Sequence, residues 1–250
     1  MPSVSIVIPA YNEEARLPAT LEAVVAYLRQ KNFAFVEVVV VDDGSRDGTV
    51  ELVERWRRDH ACIRLLKNPG NRGKGFTVRH GVLDAKGDWI LYTDADLSAP
   101  IAELDKLMAA AQRVEAQVAI GSRAIDRSLV GVHQSAFREL SGRAFNVLMR
   151  LITGLPFLDT QCGFKLFSAA AAREIFSRQQ LDGFSFDVED LVIAKSLGLR
   201  AIEVPVVWNN VEGTKVSTLA GVASFLALVG IRWRALTGRY SKPSFQKALR

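Results

Sequence analysis

The chain has 250 residues, 49% of them hydrophobic and 24% charged, with a formal net charge of +5. That composition supports one sizeable domain and excludes a disordered chain. Its two cysteines, Cys62 and Cys162, lie too far apart to frame a disulfide scaffold and fit a reducing compartment.

The elements follow in chain order. Val4–Ile8 reads as a buried strand closed by Pro9, with no basic and apolar leader before it, so no secretory signal is expected. Glu14–Gln30 reads as a helix, because Leu17, Leu21, Val24, Val25 and Leu28 recur near helical spacing. Val36–Val41 is a second strand, Thr49–His60 a helix, and Ile63–Leu66 a third strand. Lys74–Lys86 reads as a helix, Trp89–Thr93 as a strand, Ile101–Arg113 as a helix and Val118–Gly121 as a fifth strand. Strands alternating with helices predict a mostly parallel sheet, covered on both faces and therefore built from continuous apolar runs. Beyond residue 125 the pattern loosens. Phe137–Leu151, Ser168–Arg178 and Phe186–Gly198 read as helices, Thr160–Phe167 as a strand or extended loop, and Ile202–Trp208 as a strand.

The stretch Val216–Ile231 has sixteen residues and no charge, short of the ~20 needed to span a bilayer. It reads equally as a buried core helix or as an interfacial helix with a basic rim at Arg232 and Arg234. From Arg200 to Arg250, eight Lys or Arg stand against two acids, a local +6 that leaves −1 for the rest. A basic end beside an apolar stretch attracts anionic surfaces. Nucleic acid is not expected as a partner, because aromatic stacking platforms and binding motifs are absent.

Polar clusters follow four of the strands: Tyr11-Asn12-Glu13, Asp42-Asp43-Gly44-Ser45, Asp94-Ala95-Asp96 and Gly121-Ser122-Arg123. Ligands of such sheets bind beyond the carboxyl ends of the strands, so these clusters share one edge. Asp94 and Asp96 are the most informative pair. Two close carboxylates repel, and a hard divalent cation, Mg²⁺ or Mn²⁺, resolves that while sharing oxygens with substrate phosphates. Asn71-Arg72-Gly73-Lys74-Gly75 places amides and a cation at a helix start, which suits a phosphate.

Together VSIVIPAYNEE, VVVDDGSRDGT, NRGKGFTVRHG, TDADLS and GSR resemble family 2 glycosyltransferases of the GT-A fold, an α/β fold with a Rossmann-like, mostly parallel sheet. DTQCGFKLF, FSFDVEDL, VPVVW and EGTKVS are similar to the dolichyl-phosphate β-glucosyltransferase branch, a relative of the dolichyl-phosphate mannose synthases. The resemblance covers about residues 3–240. Departures are the lack of the N-terminal membrane anchor of the eukaryotic enzymes, Phe76 where the family usually has Gly, and Asp190 where it usually has Leu. The missing anchor suggests a prokaryotic enzyme acting on undecaprenyl phosphate or an archaeal dolichol.

The resemblance implies a nucleoside pocket at Pro9, Tyr11, Asn12 and Glu13, with Tyr11 against the base and Glu13 near the ribose. It places Asp42 on the base, Gly73 and Lys74 on the donor, and the metal on Asp94 and Asp96. Arg123 is expected at a phosphate, and Arg138, ahead of Arg143, at the acceptor phosphate with Ser217. Asp159, Gln161 and Lys165 are expected at the sugar and acceptor. An acid at Asp187 or Glu189 is the base in much of the family; an anionic phosphate acceptor leaves them orienting roles. Lys215 and Ser217 fit a lid over the diphosphate. The implied catalytic set is Asp96, Gln161, Lys165, Asp187 and Glu189.

The implied activity is inverting transfer of a hexose, glucose from UDP-glucose before mannose from GDP-mannose, onto a polyprenyl or dolichyl phosphate at the cytosolic membrane face. Residues 1–212 would form the catalytic domain, 1–125 for donor and 126–212 for acceptor, with 213–250 as lid and membrane-facing segment. The alternatives are a family 2 transferase with a saccharide acceptor and a membrane-associated binding module. A processive synthase is disfavoured, since Val229 stands where the Gln of QxxRW belongs before Arg232-Trp233. A nicotinamide-dependent enzyme is disfavoured because no G-x-G-x-x-G follows the first strand.

Overall fold

The structure, a computed structural model, describes residues 1–132, 147–209 and 220–241. Seven strands form one sheet in the order β3-β2-β1-β4-β7-β5-β8. They are β1 (Val4–Ala10), β2 (Val36–Asp42), β3 (Ile63–Lys67), β4 (Trp89–Thr93), β5 (Val118–Ser122), β7 (Phe164–Ser168) and β8 (Ala201–Pro205). All neighbours pair in parallel except β7, which runs antiparallel to both β4 and β5.

The apolar runs have a direct packing cause. Successive strand side chains face opposite sides. Val38 and Val40 join one core, Val39 and Val41 the other, so both faces of β2 are buried. Helices α1 (Leu17–Arg29), α2 (Thr49–Asp59) and α4 (Glu103–Arg113) cover the first face. The second is covered by α3 (Lys74–Asp84), α5 (Ala169–Phe176), α6 (Phe186–Ser196) and α7 (Ala220–Leu236). A mixed α/β architecture with a mostly parallel sheet is therefore present as expected.

Several boundaries move. The first helix starts at Leu17 rather than Glu14, because residues 14–16 form a turn and the Glu14 carboxylate accepts the Gly48 N–H at 2.9 Å. Thr160–Phe167 resolves into an irregular approach followed by β7. Since β7 is reversed, its first residue Phe164 pairs with Thr93, the last residue of β4. The segment Asp159–Gly163 therefore arrives at the same edge as the carboxyl ends of β4 and β5. The expected strand Ile202–Trp208 ends at Pro205, and β9 (Trp208–Asn209) pairs instead with β6 (Val130–Val132) in a separate two-stranded sheet. Residues 147–153 are helical, the described part of the helix expected to end at Leu151.

α7 is buried along one side only. Leu228 and Ile231 are buried in the second core, while Leu226, Val229, Trp233 and Leu236 are exposed. Those four sit at i, i+3, i+7 and i+10, one face of a helix.

Candidate active site

A cavity of about 380 Å³ opens at the carboxyl edge of the sheet, a size typical of small-molecule pockets. After β1 it is lined by Pro9, Ala10, Tyr11, Glu13 and Arg16, and after β2 by Asp43. The start of α3 adds Asn71, Gly73, Lys74 and Thr77, the end of β4 adds Asp94, Ala95 and Asp96, and Phe184 closes one side. Of the expected donor residues, the structure thus gathers Pro9, Tyr11, Glu13, Gly73, Lys74, Asp94 and Asp96.

The loops forming the pocket are cross-braced. Asn12 takes a left-handed φ of 55°, which Asn tolerates better than most residues. Its N–H donates to Ser45 Oγ at 2.9 Å, and its side-chain oxygen accepts the Arg46 N–H at 2.8 Å. Asn12 does not line the cavity; it ties the β1 loop to the β2 loop. Asp42, expected on the base, is absent from the lining too. Its carboxylate accepts the amides of Gly44 and Ser45 in a local turn. The next residue, Asp43, forms the wall and accepts from Arg72 N at 2.9 Å, Gly73 N at 2.8 Å and Asn68 Nδ2 at 2.8 Å. Gly44 has φ 77°, and a Cβ there would strike the backbone of Gly70 and Asn71, so the β2 loop and the phosphate-type loop need that close approach.

Asp94 and Asp96 both reach the cavity, each opposite a cation. Lys74 Nζ lies 2.6 Å from Asp94 Oδ1, and Arg16 Nη1 lies 3.9 Å from Asp96 Oδ2. Burial works to lower the Lys74 pKa, but Asp94 and then Asp187 outweigh it and hold the ammonium above its ordinary value. Asp96 Oδ1 accepts from Ser98 N and Oγ, which fixes its orientation. Arg16 also forks onto Glu13 at 2.5 Å and 2.7 Å. Among the described residues no group of three or more His, Cys, Asp or Glu side chains gathers around a metal position. A two-carboxylate donor set suits a hard divalent cation that completes its shell with substrate oxygens.

Other expected residues sit around the pocket rather than in its wall. Arg123 forms a two-pronged ion pair with Asp159 at 2.6 Å and 2.8 Å and lies over the Trp208 ring. Burial pushes the Asp159 carboxyl up, and Arg123 more than offsets it, leaving the acid below its usual range. Gln161 is exposed, and its N–H donates to Asp159 at 3.3 Å.

Lys165 is fully buried and donates to Asp187 Oδ1 at 2.5 Å and to the Asp187 carbonyl at 2.9 Å. Tyr92 donates to the same carboxylate. The Asp187 side chain is thereby committed to internal partners. Asp190, on the same helix, is buried with neither carboxylate oxygen hydrogen-bonded. Burial drives its pKa well up against the pull of Lys165.

Glu189 does not line the cavity. Its carboxylate accepts from Gln180 N, Leu181 N and Tyr240 OH at 3.1, 2.8 and 2.8 Å. Burial raises its pKa, and those three donors together with Arg234 oppose the rise.

Arg138, Arg143, Lys215 and Ser217 lie outside the described residues. Residues absent from the sequence-based site include Arg16, Asp43, Gly163 and Phe184. Asp43 and Phe184 fall inside motifs already singled out, whereas Arg16 carries no local signal.

A family model described as Glycosyl transferase family 2 matches residues 5–176. The chain is 36% identical over 259 residues to a dolichyl-phosphate β-glucosyltransferase of Drosophila melanogaster, covering 98% of this chain and 78% of that one. It is 35% identical over 250 residues to the dolichyl-phosphate β-glucosyltransferase of Homo sapiens, covering 95% and 77%. The crystal structure of glucosyl-3-phosphoglycerate synthase from Mycobacterium tuberculosis with Mn²⁺, UDP-glucose and phosphoglyceric acid superposes with a TM-score of 0.65 at 18% identity, covering 98% of this chain and 82% of that one. Mannosyl-3-phosphoglycerate synthase from Rubrobacter xylanophilus gives a TM-score of 0.68 at 18% identity, covering 100% and 77%.

Proposed function

The chain belongs to glycosyltransferase family 2, is a glycosyltransferase and has the GT-A fold, and from that premise we propose that it transfers glucose from UDP-glucose to the phosphate of a polyprenyl or dolichyl lipid. The observation that carries the reading is the acid pair Asp94 and Asp96, facing Lys74 and Arg16 across one pocket. The names of its relatives supply the sugar and the lipid class.

In this reading Tyr11 and Asp43 hold the nucleoside, Glu13 lies by the ribose, and Lys74 at the start of α3 faces the diphosphate. Asp94 and Asp96 would hold Mg²⁺ or Mn²⁺, the kind of ion present in the M. tuberculosis complex. The ion supplies charge neutralisation on the leaving diphosphate. Lys74 and Arg16 add positive charge at the same place, exchanging their carboxylate partners for phosphate oxygens.

A phosphate oxygen of the lipid attacks the anomeric carbon. Its new bond to carbon forms as the bond to the diphosphate oxygen breaks, and UDP departs with the electron pair on the opposite side, inverting the centre. A phosphate monoester, with a second pKa of about 6, is already anionic at neutral pH, so no side chain need remove a proton. Asp187, held by Lys165 and Tyr92 behind the pocket wall, then supports the site from outside instead of acting as a base.

Arg123 with Trp208, on the edge served by β5 and β9, forms the acceptor side among the described residues. Residues 1–125 supply most of the donor pocket and 126–212 carry the acceptor side, with Phe184 of the second part reaching into the donor pocket. The lipid is met at a membrane surface. No helix among the described residues is long and apolar enough to cross a membrane. The exposed stripe Leu226, Val229, Trp233 and Leu236, beside exposed Arg232 and Arg239, suits shallow insertion at the cytosolic face.

The test is to supply radiolabelled UDP-glucose and GDP-mannose, with Mn²⁺, to polyprenyl phosphate or to free saccharides. Label from UDP-glucose in the lipid phase supports the proposal. Label in saccharide alone, or from GDP-mannose alone, overturns it.

A further inference from the structure

We infer that Glu189 and Tyr240 are positioning residues for the donor pocket, tying the segment after α7 to the loop that braces Gly73 and Gly75. The inference rests on the donor-binding part of the function proposed above.

Glu189 is fully buried, and each carboxylate oxygen is engaged: Oε1 by Tyr240, Oε2 by the amides of Gln180 and Leu181. A general base has to reach the proton it removes. Glu189 faces donors that hold it in place and lines no part of the cavity. What it holds is the start of the loop 180–184.

That loop interlocks with the start of α3. The Asp182 carbonyl accepts the Phe76 N–H at 3.2 Å, and the Asp182 carboxylate accepts from Arg79 at 2.8 Å. Gln179 Nε2 donates to the Gly75 carbonyl at 2.9 Å. The Leu181 carbonyl occupies the place of a Cβ on Gly75, and the Asp182 carbonyl the place of one on Gly73. Between those glycines stands Lys74, which meets Asp94. The same loop carries Phe184 into the pocket wall. A shift of residues 180–184 therefore moves Phe184, the amides at Gly73 and the Lys74 ammonium together.

The other end of the tether is remote in sequence. Tyr240 is 1% exposed and reaches Glu189 across 51 positions. It lies in the short turn Arg239–Ser241 just after α7, and Arg234 of that helix adds positive charge beside the pair. The helix with the exposed apolar stripe is thus mechanically joined to the donor loop through one phenol and one carboxylate.

The experiment compares the whole wild-type chain with Tyr240→Phe and Glu189→Gln. Ligand-free amide hydrogen exchange gives the first readout. One hydrogen bond lost should speed exchange at Gln180, Leu181 and residues 73–76 by about tenfold, with β1, β2 and β4 unchanged. Calorimetry with UDP-glucose and Mn²⁺ gives the second. Tyr240→Phe should weaken donor binding several-fold, and acceptor KM and kcat at saturating donor should stay within about twofold. Glu189→Gln, which keeps one acceptor oxygen, should fall between Tyr240→Phe and wild type.

Unchanged exchange at residues 73–76 and 180–181 overturns the inference. So does a loss of kcat with donor affinity intact, the mark of a base. A wild-type chain that binds no UDP-glucose would sink the donor reading, while the exchange comparison would still decide the tether.

Discussion

Gly163 backs directly onto Asp94: its carbonyl accepts the Asp94 N–H at 3.1 Å, and the Asp94 carboxylate fills the place a Cβ would occupy. Asp94 is therefore seated by a residue 69 positions further along the chain. Gly163→Ala should push the carboxylate out of position. Groups that orient a metal ligand are typically worth 10–100-fold. The expected outcome is a rise of about that size in the Mn²⁺ concentration needed for half-maximal activity, with an unchanged circular dichroism spectrum. A metal requirement equal to wild type would refute the link.

Asp96→Ala should abolish metal-dependent turnover, lowering kcat by roughly 100-fold or more, while the chain stays folded. The side chain is partly exposed and its hydrogen bonds are confined to its own turn with Ser98, so little stability is at stake. Steady-state rates with and without EDTA measure this. Turnover of the wild type that persists in excess EDTA would contradict the metal role.

Lys165→Met leaves Asp187 buried without its ammonium partner. Breaking a buried pair in this way costs about 3–5 kcal/mol. For a domain of this size the melting temperature should fall on the order of 10 °C. Double substitution, Lys165→Met with Asp187→Leu, should recover part of the loss. Calorimetric melting of the three proteins decides it, and a single variant as stable as wild type rules the idea out.

Asp190→Leu should stabilise the fold by about 1–3 kcal/mol at neutral pH, because it replaces a buried carboxyl lacking hydrogen-bond partners with an apolar group. The sign follows from linkage. The folded pKa is raised, so the folded state keeps a proton that the unfolded chain releases. Stability from this residue is greatest below the unfolded pKa of about 4 and falls as pH rises toward the folded value. The gain from leucine should accordingly be larger at pH 7 than at pH 4. Urea titrations at both pH values test it; an equal or smaller gain at pH 7 would count against a raised Asp190 pKa.

Trp233→Ala with Leu236→Ala removes two exposed apolar side chains from α7, each worth about 1.5–3 kcal/mol when buried. Co-sedimentation with vesicles of phosphatidylglycerol and phosphatidylcholine should weaken at least tenfold, with donor binding preserved. Retained sedimentation would move the lipid contact elsewhere.

Much of the pocket edge is legible in the sequence because a parallel sheet covered on both faces writes its strands as apolar runs, and polar residues directly after them can only be at the carboxyl rim. Tyr11, Asp94 and Asp96 are found that way, and Lys74 through the glycines flanking it at a helix start. Asp42 and Asp43 are not separable, since both follow the same strand and only the turn geometry decides which acid enters the wall. Arg16 reads as an ordinary residue at a helix start. Glu189 and Tyr240 meet across a span that no local pattern encodes. The reversal of β7 is equally silent: FKLF is as apolar as its neighbours, and strand direction leaves no mark on composition.

That reversal has a consequence for engineering. The strand lying between β4 and β5 comes from the later part of the chain. A chimera spliced near residue 125, taking its first part from one homologue and its second from another, would have to knit two new ladders through the middle of its own sheet. Swapping sugar preference and lipid preference as separate cassettes is therefore blocked by topology. Altering either is better attempted by point changes along the rim.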